Sequence, residues 1–481
     1  VPKIKNPRSF SEVFGVDTAS LAKAGVLDPV LNVDTKLFID PLLLPESRHP
    51  EINVGAVAAY KSRFETLVKL LAGSKAPDDV AWRAARRLLT FPEIQGTCIG
   101  YGAASIAGHS WGNRIRERVL TAAKEIVELG ITDPDLFMVV ALLEDGVGPD
   151  LISDMTTNII LPNIAEYTAR TCKQFKAKTQ IFALPDGSKI DLPRNPFITD
   201  KVKPVLLVPL DILRELPIVT SWEDVGDAAS KNSELRNRVN SLIGRIWEAS
   251  VRRRQKQNIR AQVYSNKQAF EAILETIRSV PKTPYDSTSD PEGHFAWVRV
   301  HHNVAKDHPL HLVLAKYPTL DDVHKLATKI VEHYQELVEN KGLWKELWYG
   351  NDPRPEKSAQ RIFFAVADAY CRANNIDISP EADSGVGPVD FKVSAGYDNR
   401  VLVELKLSTN PKMVQGYERQ LAAYKKAEST SRAIYLVVDV GAMGNKDKRL
   451  LEVKNAAAKR GDPVSDIVFV NGKKQKSASK K

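Results

Sequence analysis

Asp390, Glu404 and Lys406 fall on two short runs of alternating apolar residues, "VDFKVS" and "VLVELKLS", joined by the turn-like "SAGYDNR". Val389, Phe391 and Val393 share odd parity with Val401, Val403, Leu405 and Leu407. Successive side chains of a strand point to opposite faces. An antiparallel hairpin that buries the odd residues therefore gathers Asp390, Lys392, Glu404 and Lys406 on the other face. Pairing centred near Tyr397 or Asp398 sets Asp390 opposite Glu404 or Lys406. Two neighbouring carboxylates raise each other's pKa unless a cation lies between them, and hard oxygen ligands with room for water suit Mg²⁺ or Mn²⁺. A lysine beside that cation can orient, or help deprotonate, an attacking water. Lewis acid, activated water and a charge facing a pentavalent phosphorus are the parts of metal-assisted phosphodiester hydrolysis. An ordinary solvated face of an edge hairpin shows the same spacing, so the surrounding elements have to decide.

Those elements follow a definite order. After the turn-rich "YGNDPRP" the pattern gives a helix over 355–373, strands over 376–380, 388–395 and 400–407, a helix over 411–428, a strand over 432–439, a helix over 446–459 and a strand over 466–470. This places a domain at 346–472, followed by a basic, disordered tail at 473–481. Upstream, 1–175 reads as mixed and then mainly helical. "LNVDTKLFIDP" alternates like a strand, while "VGAVAAYKSRFETLVKLLAG" and "NRIRERVLTAAKEIVELG" carry apolar residues at helical spacing. Within 176–345, Asp186-Gly187 marks a hairpin, "PVLLVPLDIL" reads as a buried strand, and helical patterning resumes from 221. The fold class expected is multidomain α+β, with a mostly helical N-terminal region, a small β element and a C-terminal α/β domain.

The αβββαβ order, with "GVGPVDF", "VELK" and "QLAAY", resembles the PD-(D/E)XK nuclease superfamily, the restriction-endonuclease-like fold shared by many restriction enzymes and RecB-like exonucleases. The resemblance covers about residues 351–472. It implies that Asp390 and Glu404 bind Mg²⁺ or Mn²⁺, with the Leu405 carbonyl as a further ligand, and that Lys406 handles the nucleophilic water. Glu356 then completes the metal site or holds its water, although at a helix start it also favours the dipole. Gln420 and Tyr424 correspond to the Q-x-x-x-Y motif that positions the site and contacts substrate. Gly385 and Gly387 let the loop before Asp390 bend and admit a phosphate backbone, and Glu381 is a further acid on that approach. Val389 stands where the motif's name has proline. The implied activity is a metal-dependent deoxyribonuclease, in antiviral or foreign-DNA defence by analogy with stand-alone bacterial members. Cutting both strands of a duplex implies a homodimer or higher oligomer. A nucleic-acid or partner-binding protein that does not cut, and a ribonuclease, are the alternatives.

The remaining features set bounds on this reading. At 481 residues and 43% hydrophobic the chain can bury a sizeable core, and its net charge of +9 is compatible with an anionic partner without identifying one. Cys98, Cys172 and Cys371 are too scattered for a disulfide framework or zinc ribbon, which fits a cytoplasmic protein. No apolar run approaches the roughly 20 residues of a membrane span. There is no G-x-x-x-x-G-K-[ST] loop and no G-x-G-x-x-G after a strand, so ATP-driven translocation is not expected. A nuclease without a motor needs restraint, and residues 1–345 are expected to respond to an activating ligand or protein partner. Glu144, Asp145, Asp150 and Asp154 suggest a second acidic site, but no Glu-x-Lys strand follows and "LISDMTTNII" reads as a helix. His294, His301, His302, His308 and His311 match no zinc spacing and suggest an exposed loop. Arg252, Arg253, Arg254, Lys256 and Arg260, with Arg245 and Trp247 upstream, are candidates for a DNA-facing helix.

Overall fold

The computed structural model describes residues 7–92, 94, 96–100, 112–144, 147–198, 202–215, 256–310, 317–373, 376–383, 388–395 and 399–475. The chain forms two compact units, Arg8–Tyr285 and one built on Asp286–Lys481.

The Arg8–Tyr285 unit is mainly helical. In the helix Val57–Gly73, Tyr60, Phe64, Leu67 and Leu71 recur at three and four residues and form its buried stripe. Leu136–Leu143 is apolar all round and buried throughout. Pro149–Ile159 is helical, as its sequence suggests. The expected strand in "LNVDTKLFIDP" shrinks to β1 (Phe38–Ile39). The hairpin around Asp186-Gly187 forms as β2 (Gln180–Ala183) and β3 (Lys189–Leu192), with Gly187 at φ +86°. "PVLLVPLDIL" is buried but not a strand. Prolines bracket it, and its N–H groups go to scattered acceptors: Val205 to Pro193 O, Leu206 to Gly96 O and Leu207 to Thr168 Oγ1. Regular pairing returns only at β4 (Leu213–Arg214), which joins β1.

One further expectation for this unit is corrected. Arg260 is not a free DNA-facing cation, because it donates at 2.6 Å to the buried carboxylate of Glu144. That ion pair gives Glu144 a structural partner. Arg245, Trp247, Arg252, Arg253, Arg254 and Asp145 lie outside the described residues.

The Asp286–Lys481 unit is a five-stranded sheet ordered β11-β10-β9-β8-β7. A small hairpin, β5 (Trp348–Tyr349) and β6 (Asp352–Pro353), precedes the helix Glu356–Ala373. Then β7 (Asp377–Asp383), β8 (Pro388–Ala395) and β9 (Asn399–Leu407) run as an antiparallel meander. The chain crosses over through a helix that starts at Met413–Gln415, passes a π turn at Gly416–Gln420 and continues over Leu421–Ala427. It enters β10 (Ala433–Asp439), parallel to β9, then the helix Lys446–Lys459 and β11 (Asp466–Asn471), parallel to β10. The αβββαβ order of the sequence reading is the order observed.

The sheet is covered on both faces. One core joins Val401, Val403, Leu405 and Leu407 to Phe363 and Tyr334, and the other joins Leu402 and Tyr435 to Tyr417 and Leu421. The central position of β9 excludes the solvated-edge reading of its charged residues.

The boundary expected near 346 is also corrected. The helices Ala296–Asp307 and Leu320–Asn340 belong to the sheet's own unit, and Leu326, Ile330 and Tyr334 extend its core. "YGNDPRP" builds the β5–β6 hairpin instead of a linker. The histidine-rich stretch is the helix Ala296–Asp307 and not a loop: His294 is buried, and His301 Nε2 stands 3.1 Å from Asp368 Oδ2. His311 and the tail from 476 lie outside the described residues. Among the described residues no helix is long and apolar enough to cross a membrane.

Candidate active site

The backbone of β9 decides where the carboxylates gather. Its even-numbered N–H groups serve β10, as Leu402 N donating to Arg432 O and Ser408 N to Val438 O show at the two ends. Its odd residues serve β8, where Val401 pairs with Val393 and Val403 with Phe391, and there the ladder stops. Two more odd N–H groups lie beyond that end, and carboxylates accept both. Asp390 Oδ2 accepts from Leu405 N at 2.8 Å, and Glu356 Oε2 accepts from Leu407 N at 3.0 Å. The divergence of the two strands thus creates the places that acidic side chains fill.

Asp390 sits across from Glu404, as a hairpin centred on position 397 requires, and its own N–H donates to Glu404 Oε2 at 3.2 Å. One residue breaks the parity argument. Val389 packs with Leu402, Tyr417 and Tyr424, on the opposite side of the sheet from Phe391 and Val393, because no ladder holds β8 to β9 at that point.

Lys406 is the hub of the cluster. Its ammonium lies 2.9 Å from Glu404 Oε1, 3.4 Å from Glu356 Oε1 and 3.7 Å from Asp390 Oδ2, and it donates to the Leu405 carbonyl at 3.3 Å. Glu404 is 2% exposed and Lys406 8%, so these charges interact in a medium that screens poorly. Burial, and then the charge of Glu404, push the Asp390 carboxyl up to about 7, although Lys406 pulls the other way. For Lys406 burial favours the neutral amine, but Asp390, Glu404 and Glu356 together outweigh it and raise its pKa above the ordinary lysine value. In this state Lys406 holds its proton and acts as a cation, not as a base.

Two amides complete the arrangement. Gln360 Nε2 donates to Asp390 Oδ1 at 2.8 Å, and Asn410 Nδ2 donates to Glu356 at 2.9 and 3.2 Å. Both were missed from sequence. Gln360 had a signal, since it lies one helical turn after Glu356 and shares its face. Asn410 sits beyond the end of β9, where no periodicity applies.

The donor set fits a hard divalent cation. Carboxylate oxygens of Asp390, Glu404 and Glu356 and the Leu405 carbonyl all surround one positively charged point, now taken by the ammonium. Among the described residues no group of three His, Cys, Asp or Glu side chains is already drawn to metal-ligand spacing.

The other expected residues fall elsewhere. Tyr424 is buried in the apolar cluster under β9, whereas Gln420 is exposed at the end of the π turn. The π turn ends at Gln420, and Tyr424 follows it in the regular helix Leu421–Ala427. Glu381 falls on β7. Gly385 and Gly387 lie outside the described residues. A cleft of about 380 Å³ adjoins Glu356 and is lined by Tyr349, Arg354, Leu407, Thr409 and Asn410 among others.

A mixed sheet with buried carboxylates at its centre is thus the class that fold and site define. Residues 323–442, which include most of the helix Leu320–Asn340 and the strands through β10, match a family model described as a domain of unknown function (DUF8371). Residues 15–221 match another, also described as a domain of unknown function (DUF8370). No curated protein and no solved structure matches the chain.

Proposed function

We propose that the Asp286–Lys481 unit is a divalent-metal-dependent nuclease of the PD-(D/E)XK type, acting on DNA, and that the Arg8–Tyr285 unit gates it in response to a ligand or partner. The observation that carries this reading is the convergence of Asp390, Glu404, Glu356 and the Leu405 carbonyl on the Lys406 ammonium. The order of elements around it supports the same assignment. Asp390, Glu404 and the Leu405 carbonyl would hold Mg²⁺ or Mn²⁺, with Glu356 completing the set. Once bound, the cation supplies Lewis acidity toward a phosphoryl oxygen and lowers the pKa of water. Gln360 and Asn410 hold the Asp390 and Glu356 carboxylates in place, so the rearrangement that binding requires falls on Lys406 and Glu404. Lys406, moved off the hub, keeps a positive charge beside the reacting phosphate and orients the attacking water. Defence against foreign DNA, and assembly as a dimer for duplex cleavage, are parts of the same proposal.

A binding protein that does not cut is the competing reading, favoured by the fact that Lys406 already pairs with all three carboxylates. Incubating the full chain with Mn²⁺ and matched labelled DNA and RNA strands separates these. Cleavage of DNA, abolished by Asp390→Ala, is expected; preferential cutting of RNA would reassign the substrate, and uncut strands of both kinds would favour the binder.

A further inference from the structure

The groups that engage Glu356 lie within Lys406–Asn410, so the course of the chain at the end of β9 decides where that carboxylate points. Leu407 N donates to it at 3.0 Å and Asn410 Nδ2 at 2.9 and 3.2 Å, while the Lys406 ammonium stands 3.4 Å away. Asn410 is committed at every polar group. Its N–H donates to Leu407 O at 2.9 Å, its Oδ1 accepts from Lys412 N at 2.9 Å, its Nδ2 serves Glu356, and its carbonyl accepts from Lys446 Nζ at 3.4 Å. A side chain engaged in this way follows its backbone. The strand side of the turn is fixed by β10: Ser408 is fully buried, its N–H donates to Val438 O, and its hydroxyl accepts from Val440 N at 2.9 Å. The Asn410 side is tied down by Lys446, the first residue of the helix Lys446–Lys459. Its ammonium donates to Ser408 O as well as to Asn410 O, and so gathers the two carbonyls that flank Thr409. Two carbonyl dipoles aimed at one point repel, and a cation placed there turns that repulsion into charge-assisted hydrogen bonds. Among the described residues no carboxylate forms an ion pair with Lys446, so its charge is directed at the turn.

We propose that Lys446 is a positioning residue of the cation site: by holding the Ser408–Asn410 turn it keeps the Asn410 amide on Glu356. It acts through Asn410 and pairs with none of the carboxylates. The inference rests on the nuclease reading, which makes Glu356 part of that site. Positioning and plain electrostatics predict opposite signs here. Removing a positive charge near a cation site strengthens cation binding if charge alone acts, whereas loosening the group that orients a ligand weakens it.

The test reads metal affinity in the absence of substrate. Mn²⁺ is titrated calorimetrically into the full chain and into Asp390→Ala, Asn410→Ala, Lys446→Met, Lys446→Arg and the double variant Asn410→Ala with Lys446→Met, and thermal midpoints are taken in metal-free buffer. Asp390→Ala should abolish binding at the site. Asn410→Ala and Lys446→Met should each weaken it roughly tenfold. Lys446→Arg, which can still donate to both carbonyls, should stay within about twofold of native, and the double variant should bind no more weakly than Asn410→Ala alone. Lys446→Gln, which keeps a donor, replaces Lys446→Met if that variant melts early, with weaker binding again expected. Native or tighter affinity in the uncharged variants, or losses that multiply in the double variant, would overturn the inference and leave the nuclease reading standing. A native chain without Asp390-dependent Mn²⁺ binding would overturn both.

Discussion

Asp390 is the residue whose environment says most about the site. Its carboxyl is raised from 3.8 to about 7 by burial and by Glu404, so the folded chain binds a proton there that the unfolded chain releases. A group raised in this way contributes stability that is complete below the unfolded value and is lost as pH climbs through the folded one. Asp390→Asn removes that loss while keeping an oxygen for Leu405 N. The thermal midpoint of Asp390→Asn relative to the native chain should therefore rise steadily from about pH 4 to about pH 8 in metal-free buffer. Parallel curves over that range would mean that Asp390 is not strained by its neighbours. Asp390, Glu404, Lys406 and Glu356 were legible in sequence because strand alternation and a helix start are short-range patterns. Gln360 and Asn410 were not, since their role is a contact between elements distant in sequence, 30 and 54 positions along the chain from their partners.

At the level of elements, the crossover between β9 and β10 packs against Tyr435 of β10. Gly416 opens its π turn against Tyr435, which pairs with Glu404 in the ladder and donates its hydroxyl proton to Met413 O. A Cβ at 416 would stand 2.6 Å from that hydroxyl oxygen. Gly416→Ala should therefore cost roughly 1–3 kcal/mol in denaturant unfolding, through displacement of Tyr435. A midpoint equal to the native one would show that the tyrosine yields freely. The differing exposure of Gln420 and Tyr424 depends on what packs over that helix, which four-residue spacing does not report. The strands were easier to place, because period-two alternation holds locally whatever packs above it.

For the whole molecule, the division at Asp286 rather than near 346 changes which helices belong with the sheet. A cluster of glycine, proline and aspartate looks the same in a linker and in a tight hairpin, so sequence alone could not separate them. Arg260 carries the same lesson: a basic run does not reveal a buried partner such as Glu144, 116 positions away. The helix Leu320–Asn340 buries Val323, Leu326, Ile330, Val331, Tyr334 and Leu337. Without it the face that it shares with the helix Glu356–Ala373 loses much of its cover. A fragment of residues 286–481 should show a cooperative thermal transition by circular dichroism, while 346–481 should not. Equal transitions in the two fragments would make the upstream helices an accessory.

The most direct test of the nuclease assignment is nicking of a supercoiled plasmid by the full chain with Mg²⁺ or Mn²⁺, compared with Lys406→Ala and Asp390→Ala. Conversion to open circles by the native chain, lost in both variants and with chelator, is the expected result. Nicking that persists in either variant would place the chemistry elsewhere, and an intact plasmid under every metal would contradict the assignment of the Lys406 cluster as a nuclease site.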